Sequence, residues 1–163
     1  MNFKKYLITI ISMGALIFAS SFSYASDCSK LFNAQNYSAA LQQCKSEAWQ
    51  SSARASFILG QMYEKGLGVK VDPEKAVNYY QQAVLANDLD SQIALGLYHE
   101  NNENYLLSHI YLSLAIDNGS LGASLEKDKV EQKLSKEELL LSRDYVDLVK
   151  SAINQQRRTF AMN

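Results

Sequence analysis

Two cysteines, Cys28 and Cys44, and two histidines, His99 and His109, are the side chains of this 163-residue chain best suited to nucleophilic, redox or metal chemistry. The histidines stand ten apart and form no H-E-x-x-H or other metal-ligand spacing. His109 lies among apolar positions, the setting of a partly covered core residue. No G-x-S-x-G elbow offers a serine with a positioned base, and the cysteines are claimed by another role below. Gly66-Leu67-Gly68 is not a phosphate loop, because no strand precedes it and Val71 stands where a third glycine would be needed. Asn87, Asp88 and Asp90 lack the ordered oxygen series of a calcium loop and read as a solvated turn. The ten tyrosines could build a stacking platform, yet most fall at positions where an amphipathic ring fills helix contacts. We therefore assign no catalytic residue, no metal site and no cofactor.

The compartment follows from the first 25 residues. Lys4 and Lys5 precede an apolar stretch from Tyr6 to Phe18, and small residues lead to Ser23-Tyr24-Ala25, the layout of a secretory leader cleaved after Ala25. About 13 apolar residues fall short of the roughly 20 that span a bilayer, so no stable membrane anchor is expected after cleavage. A lipid anchor would need a small residue before Cys28, where Asp27 stands. The expected product is periplasmic or secreted. Its charge is near neutral, with 16 Lys+Arg against 17 Asp+Glu in the whole chain, and this leaves no basic field for a nucleic acid.

Export places Cys28 and Cys44 in an oxidising compartment. Their midpoint, Asn36, lies in a polar break at residues 33–37. Folding the chain back there sets the two thiols level on antiparallel helices. A redox-active pair would show C-x-x-C near a strand, so the spacing predicts a structural disulfide.

The elements that position these residues are helical. Apolar residues recur at intervals of three and four, as in Ala55, Leu59, Met62 and Tyr63, then Ala76, Tyr79, Tyr80 and Ala83. Asp72-Pro73 reads as an N-cap with proline at the first helical position, and Ser135 to Glu138 as a capping box. Gly66-Leu67-Gly68 and Asn118-Gly119 read as helix exits. Leu59-Gly60-Gln61-Met62-Tyr63 returns 36 residues later as Leu95-Gly96-Leu97-Tyr98-His99, and the segment 76–83 returns 32 residues later as 108–115. The four-residue difference belongs to the connecting loop. Such periods mark arrays of helical hairpins, each covering its neighbour's apolar side. Gly60 and Gly96, costly inside helices, predict close helix contact, with Tyr79, Tyr80 or Tyr111 filling the notch.

At these residues the chain resembles the Sel-1-like repeats, a subtype of the tetratricopeptide-type hairpins. The resemblance rests on Ala55, Leu59-Gly60, Met62-Tyr63, Gly66, Gly68-Val69, Asp72, Lys75-Ala76, Tyr79-Tyr80 and Ala83. A degenerate second copy keeps Leu95-Gly96, Tyr111 and Ala115 and carries His99 at the usual tyrosine, where it should pack as one. The resemblance implies an all-α fold, a short right-handed superhelix (α-solenoid) of antiparallel helix pairs used for protein–protein contact. We expect hairpins over about 26–49, 51–87 and 90–119, closing helices over 121–156 and a flexible tail at 157–163.

Within that frame the first-helix positions Arg54, Ile58, Gln61 and Lys65 share one side, and Asp90, Ala94, Leu97 and Asn101 are their counterparts. These eight form either a partner-binding groove for a protein or peptide or a solvated face. Leu139, Tyr145, Val146, Val149 and Ile153 should let the last helix cap the open end of the array. Some exported relatives have been linked to cell-wall or β-lactam chemistry, which leaves an enzymatic alternative. Uncovered array ends leave weak self-association as another.

Overall fold

The computed structural model describes residues 27–161, so the leader expected at 1–25 lies outside the described residues. The described residues form eight helices and no strand: α1 Cys28–Asn33, α2 Tyr37–Trp49, α3 Ala53–Lys65, α4 Pro73–Leu85, α5 Leu89–Asn101, α6 Tyr105–Asp117, α7 Ala123–Glu131 and α8 Lys136–Ala161. Short polar side chains start most of them by accepting backbone N–H groups that a helix cannot satisfy itself. Asp72 accepts from the Lys75 amide at 3.0 Å, with Pro73 next in the helix, and Asp88 accepts from the Ser91 amide at 2.8 Å. Ser135 and Glu138 bond each other's amides reciprocally, the predicted capping box. Gly66 ends α3 at φ +70°, the left-handed geometry expected of a glycine exit.

Helices pair as antiparallel hairpins α1/α2, α3/α4 and α5/α6, and each hairpin leans on the next. The chain is an α-solenoid of helix pairs. Its main core joins the first two hairpins and reaches α5 of the third, with Ala40, Ile58, Leu59, Met62, Tyr80, Ala83 and Leu95 buried together. Cys28 and Cys44 are both wholly buried and disulfide-bonded, with 4.9 Å between their Cα atoms. The expected staple closes the first hairpin.

Both interior glycines mark close approaches. A Cβ on Gly60 would lie 2.4 Å from the Tyr80 ring, and one on Gly96 would lie 2.7 Å from Leu112. The expected aromatic filling therefore holds at Gly60 and fails at Gly96, where leucine occupies the place that the 32-residue interval assigns to Tyr80. Tyr80 cannot swing aside readily, because its hydroxyl donates to Glu64 at 2.8 Å. The Leu112 atoms are Cδ2 and the branching Cγ of a buried aliphatic side chain that no hydrogen bond tethers. We expect Gly60→Ala to cost about 1–3 kcal/mol by overpacking, against the ~1 kcal/mol that alanine returns in helix propensity. Gly96→Ala should cost less. Urea melts of the two variants check the order.

The C-terminal region departs from expectation twice. α7 and α8 do not close the array as a packed pair: α8 makes its main contacts with α6 and also reaches α4. Its 26 residues extend about 39 Å at 1.5 Å per residue, enough to run back along several second helices. Val146 and Ile153 are buried and Leu139 and Val149 half-buried, but Tyr145 is 46% exposed and does not join the covered side. α8 is a strap along the array. It also continues to Ala161, so helix occupies residues 157–161, where a tail was expected.

Candidate functional site

The eight expected first-helix positions lie on α3 and α5. Arg54 stands in the first turn of α3, and its guanidinium donates to Asp90 Oδ2 at 3.0 Å, while its charge also lies 5.2 Å from the Phe57 ring centre. Arg54 and Asp90 are corresponding residues, 36 apart, so the ion pair sets equivalent points of successive units side by side. Lys65, Asp90, Leu97 and Asn101 are exposed, and Gln61 and Ala94 are half-buried. Leu97 keeps 38% of its surface open.

Ile58 is the exception. It is wholly buried, so the structure removes it from the candidate face. The reason is positional: α3 is packed by α1, α2 and α4, and the whole run from Ala55 to Gly60 is buried. Its counterpart on α5, Ala94, is only half-buried, because the three helices around α5, namely α4, α6 and α7, pack on it less extensively. A sequence signal for this existed. Ala55-Ser56-Phe57-Ile58-Leu59-Gly60 contains only apolar and small residues, as a helix covered on every side requires.

Behind this face a ring pair repeats. Tyr63 stacks on Tyr79 with ring centres 5.6 Å apart and planes 10° apart, and His99 stacks on Tyr111 at 5.5 Å and 4°. His99 packs as the tyrosine it replaces. Its Nε2 is buried with no hydrogen-bond partner among the described residues, and burial holds its pKa below the ordinary histidine value. Burial also lowers His109, reinforced by the positive charge of Lys127 and opposed by Glu131. The unfolded chain thus takes up protons on these rings near pH 6.5, and the folded chain only at lower pH. Stability is retained above about 6.5 and falls as pH drops from there through the folded values. We expect the melting temperature to decline between pH 7 and 5, and His99→Tyr to reduce that decline. Thermal melts at both pH values check it; an unchanged decline would exclude the stacked ring as a source.

Two polar clusters escaped the sequence reading. Asn87, Gln92 and Asn118 share amide hydrogen bonds, including Asn118 Nδ2 to Gln92 Oε1 at 2.8 Å and to Asn87 Oδ1 at 2.9 Å. They tie the bend after α4 to the end of α6. The second cluster joins three helices: Ser142 Oγ of α8 lies 2.6 Å from His109 Nδ1 of α6, and His109 Nε2 lies 3.8 Å from Glu131 Oε2 of α7. The Ser142–His109 hydrogen bond takes its direction from the imidazole tautomer, with Ser142 donating when the proton is on Nε2. A serine, a histidine and a carboxylate in that order share the components of a nucleophilic triad. Ser142 is 0% exposed, however, and no substrate reaches its oxygen in this arrangement. The cluster fastens α8. Ser142 interrupts the apolar stripe 139, 146, 149, 153, and that interruption was the available signal that it faces a polar group such as His109.

A cleft of about 550 Å³ lies between the ends of α2 and α4 and the start of α3, lined by Ala48, Ser51, Ser56, Leu85 and Arg157 among others. No histidine, cysteine or carboxylate lines it, so it holds no acid–base pair. Among the described residues no three His, Cys, Asp or Glu side chains gather as a metal site, and no helix is long and apolar enough to cross a membrane.

Residues 53–88 match the family model of the Sel1 repeat. No curated protein matches the chain. Among solved structures the fold is similar to that of a protective antigen present in uropathogenic Escherichia coli strains, which displays an SLR fold. The TM-score is 0.72 at 18% identity, over 82% of this chain and 32% of that one. It is also similar to a Sel1 repeat protein from Oxalobacter formigenes, with TM-score 0.58 and 24% identity over 61% of this chain and 43% of that one. The chain thus spans less than half the length of either structure.

Proposed function

We propose that this Sel1-type helical scaffold is a non-catalytic adaptor of the periplasm or the extracellular space. In this reading it binds a protein or peptide across α3 and α5 through Arg54, Gln61, Lys65, Asp90, Ala94, Leu97 and Asn101. The observation that carries the proposal is the Arg54–Asp90 pair, since it joins the two first helices into one continuous face. An exposed pair of this kind adds about 0–1 kcal/mol of stability, so its interest is geometric. Around it the amides of Gln61 and Asn101 suit the polar backbone of an extended peptide, and Leu97 with Ala94 suits an apolar side chain. The burial of Ser142 favours binding over hydrolysis. The secretory layout of residues 1–25 and the Cys28–Cys44 bridge favour export.

A photo-crosslinking amino acid at position 61 or 97, introduced in the native host, tests the face. Adducts with the same partner from both positions, absent from a control at the exposed Leu125 of α7, are the expected result. Adducts from the control alone, or none from either face position, would overturn the assignment. Intact mass of the isolated protein reports on export, with a mature chain beginning at Ser26 and two fewer hydrogens for the bridge.

A further inference from the structure

Asn118 and Gly119, exposed at the exit of α6, form the single Asn-Gly step of the chain. Such a step carries chemistry of its own, because the main-chain nitrogen of a residue without Cβ meets little steric resistance as it approaches the preceding side chain. The Gly119 nitrogen attacks Cγ of Asn118 and loses its proton, the N–Cγ bond closes a five-membered succinimide, and the Cγ–Nδ2 bond breaks as ammonia leaves with that proton. Water then adds to one of the two ring carbonyls and opens the ring, giving aspartate at one and isoaspartate at the other. Water is the only co-reactant. No neighbouring element crowds the glycine, since a Cβ built on it would meet nothing within 4 Å.

The folded chain nonetheless keeps the two reacting groups apart. Asn118 sits at ψ 9°, which turns the Gly119 nitrogen far from the Cα–Cβ bond, whereas ring closure needs the two nearly eclipsed. Rotating ψ would break the bonds that end α6, Gly119 N–H to the Ile116 carbonyl and Ser120 N–H to the Ala115 carbonyl, each 2.9 Å. The side chain is fixed as well. The Asn118 amide donates to Gln92 Oε1 at 2.8 Å and to Asn87 Oδ1 at 2.9 Å, and accepts from Asn87 Nδ2 at 3.1 Å. Gln92 is wholly buried and anchors the group. We propose that Asn118 is a site of spontaneous deamidation gated by this amide triad, reacting when the tie between the bend after α4 and the end of α6 opens. The two products act differently on that joint. Aspartate keeps the backbone, and the Asn87 and Gln92 amides can turn over to donate to the new carboxylate. Isoaspartate carries the main chain through Cγ, one methylene longer, at the point where two amides close α6, so the exit bonds cannot re-form as they were. Conversion to isoaspartate therefore loosens the third hairpin from the second irreversibly. None of this involves the α3–α5 face, so the inference stands independently of the adaptor reading.

The test incubates the isolated chain at mildly alkaline pH, folded and in guanidinium, and follows digests by mass spectrometry for acid in place of amide at residue 118. Electron-transfer fragmentation tells isoaspartate from aspartate. The expected result is conversion at Asn118 at least about tenfold slower in the folded chain, because reaction there requires local opening. Asn101, Asn102 and Asn104, exposed and followed by larger residues, should lag behind Asn118 in guanidinium. Asn87→Gly removes one member of the triad and suits the φ of +62° at that position, so it should still fold by circular dichroism while Asn118 converts several-fold faster. The isoaspartate form should melt below the Asn118→Asp variant. Equal rates in the folded and unfolded parent chain, no conversion at 118 in guanidinium, or a folded Asn87→Gly chain that converts no faster would each overturn the gated site. An isoaspartate form as stable as Asn118→Asp would overturn the loosening.

Discussion

Ile58→Glu will unfold this protein or bring it close to unfolding, while Leu97→Glu on the same expected face will leave it folded. Ile58 has no exposed surface and sits in the core that joins the first two hairpins. Removing a buried isoleucine side chain costs about 2–5 kcal/mol through lost burial and the cavity left behind. A glutamate there must in addition be desolvated or protonated, so the total should exceed about 4 kcal/mol. Native stabilities are about 5–15 kcal/mol, so little or none of the folded population survives. Leu97 is more than a third exposed, and glutamate at such a site changes stability by no more than about 1 kcal/mol. Thermal and urea melts followed by circular dichroism separate the two outcomes. If Ile58→Glu melts like the parent chain, position 58 is solvent-accessible and belongs to the binding face after all. The contrast also governs how binding is tested, since loss of a partner in Ile58→Glu would report unfolding, whereas loss in Leu97→Glu would report the face.

The difference between these positions shows where sequence reading succeeds and where it stops. The hairpin array was legible because interior helix positions return at 36 and 32 residues while loops vary, and a packed helix pair constrains the former far more tightly. The glycine notches were legible for the same reason. Mapping the 32-residue interval through Tyr80 points to Leu112 and through Tyr79 to Tyr111, so the leucine under Gly96 and the stacked ring beside His99 were both available from the spacing. Exposure on α3 was harder to read. Periodicity places residues on a common side, but whether that side meets solvent depends on the neighbouring helices, and α1 and α2 pack on α3 more extensively than α4 and α7 pack on α5. The course of α8 was hidden by the same gap. An amphipathic stripe says that something is covered and leaves open whether the cover is the end of the array or its flank. The paired interruptions of two apolar faces, His109 on α6 and Ser142 on α8, carried the missing information.

Reducing the Cys28–Cys44 bridge is expected to loosen one end of the molecule and leave the rest intact. The bridge closes a loop with 16 residues of separation, and in the chain-entropy model that restriction of the unfolded state is worth about 3 kcal/mol. The effect should be local. α1 has only six residues, far below the length at which a helix persists alone, and besides the bridge its start is held by the Cys28 amide donating to Glu47 Oε1 at 3.0 Å. Once the bridge opens, α1 can leave α3, whereas α5 to α8 keep their own cores and the His109–Ser142 tie. Hydrogen exchange with and without reductant should therefore show protection lost across residues 28–49 and in the facing turns of α3, with protection in α5 and α6 unchanged. The transition should move by about 3 kcal/mol if unfolding is all-or-none and split into two steps if the terminal hairpin opens first. Uniform loss of protection would show that the bridge holds the whole array, and no loss at all would show that buried packing alone secures the hairpin. Cys44→Ser adds a buried hydroxyl to the same change and should be worse than reduction, which makes the reduced parent chain the cleaner measurement.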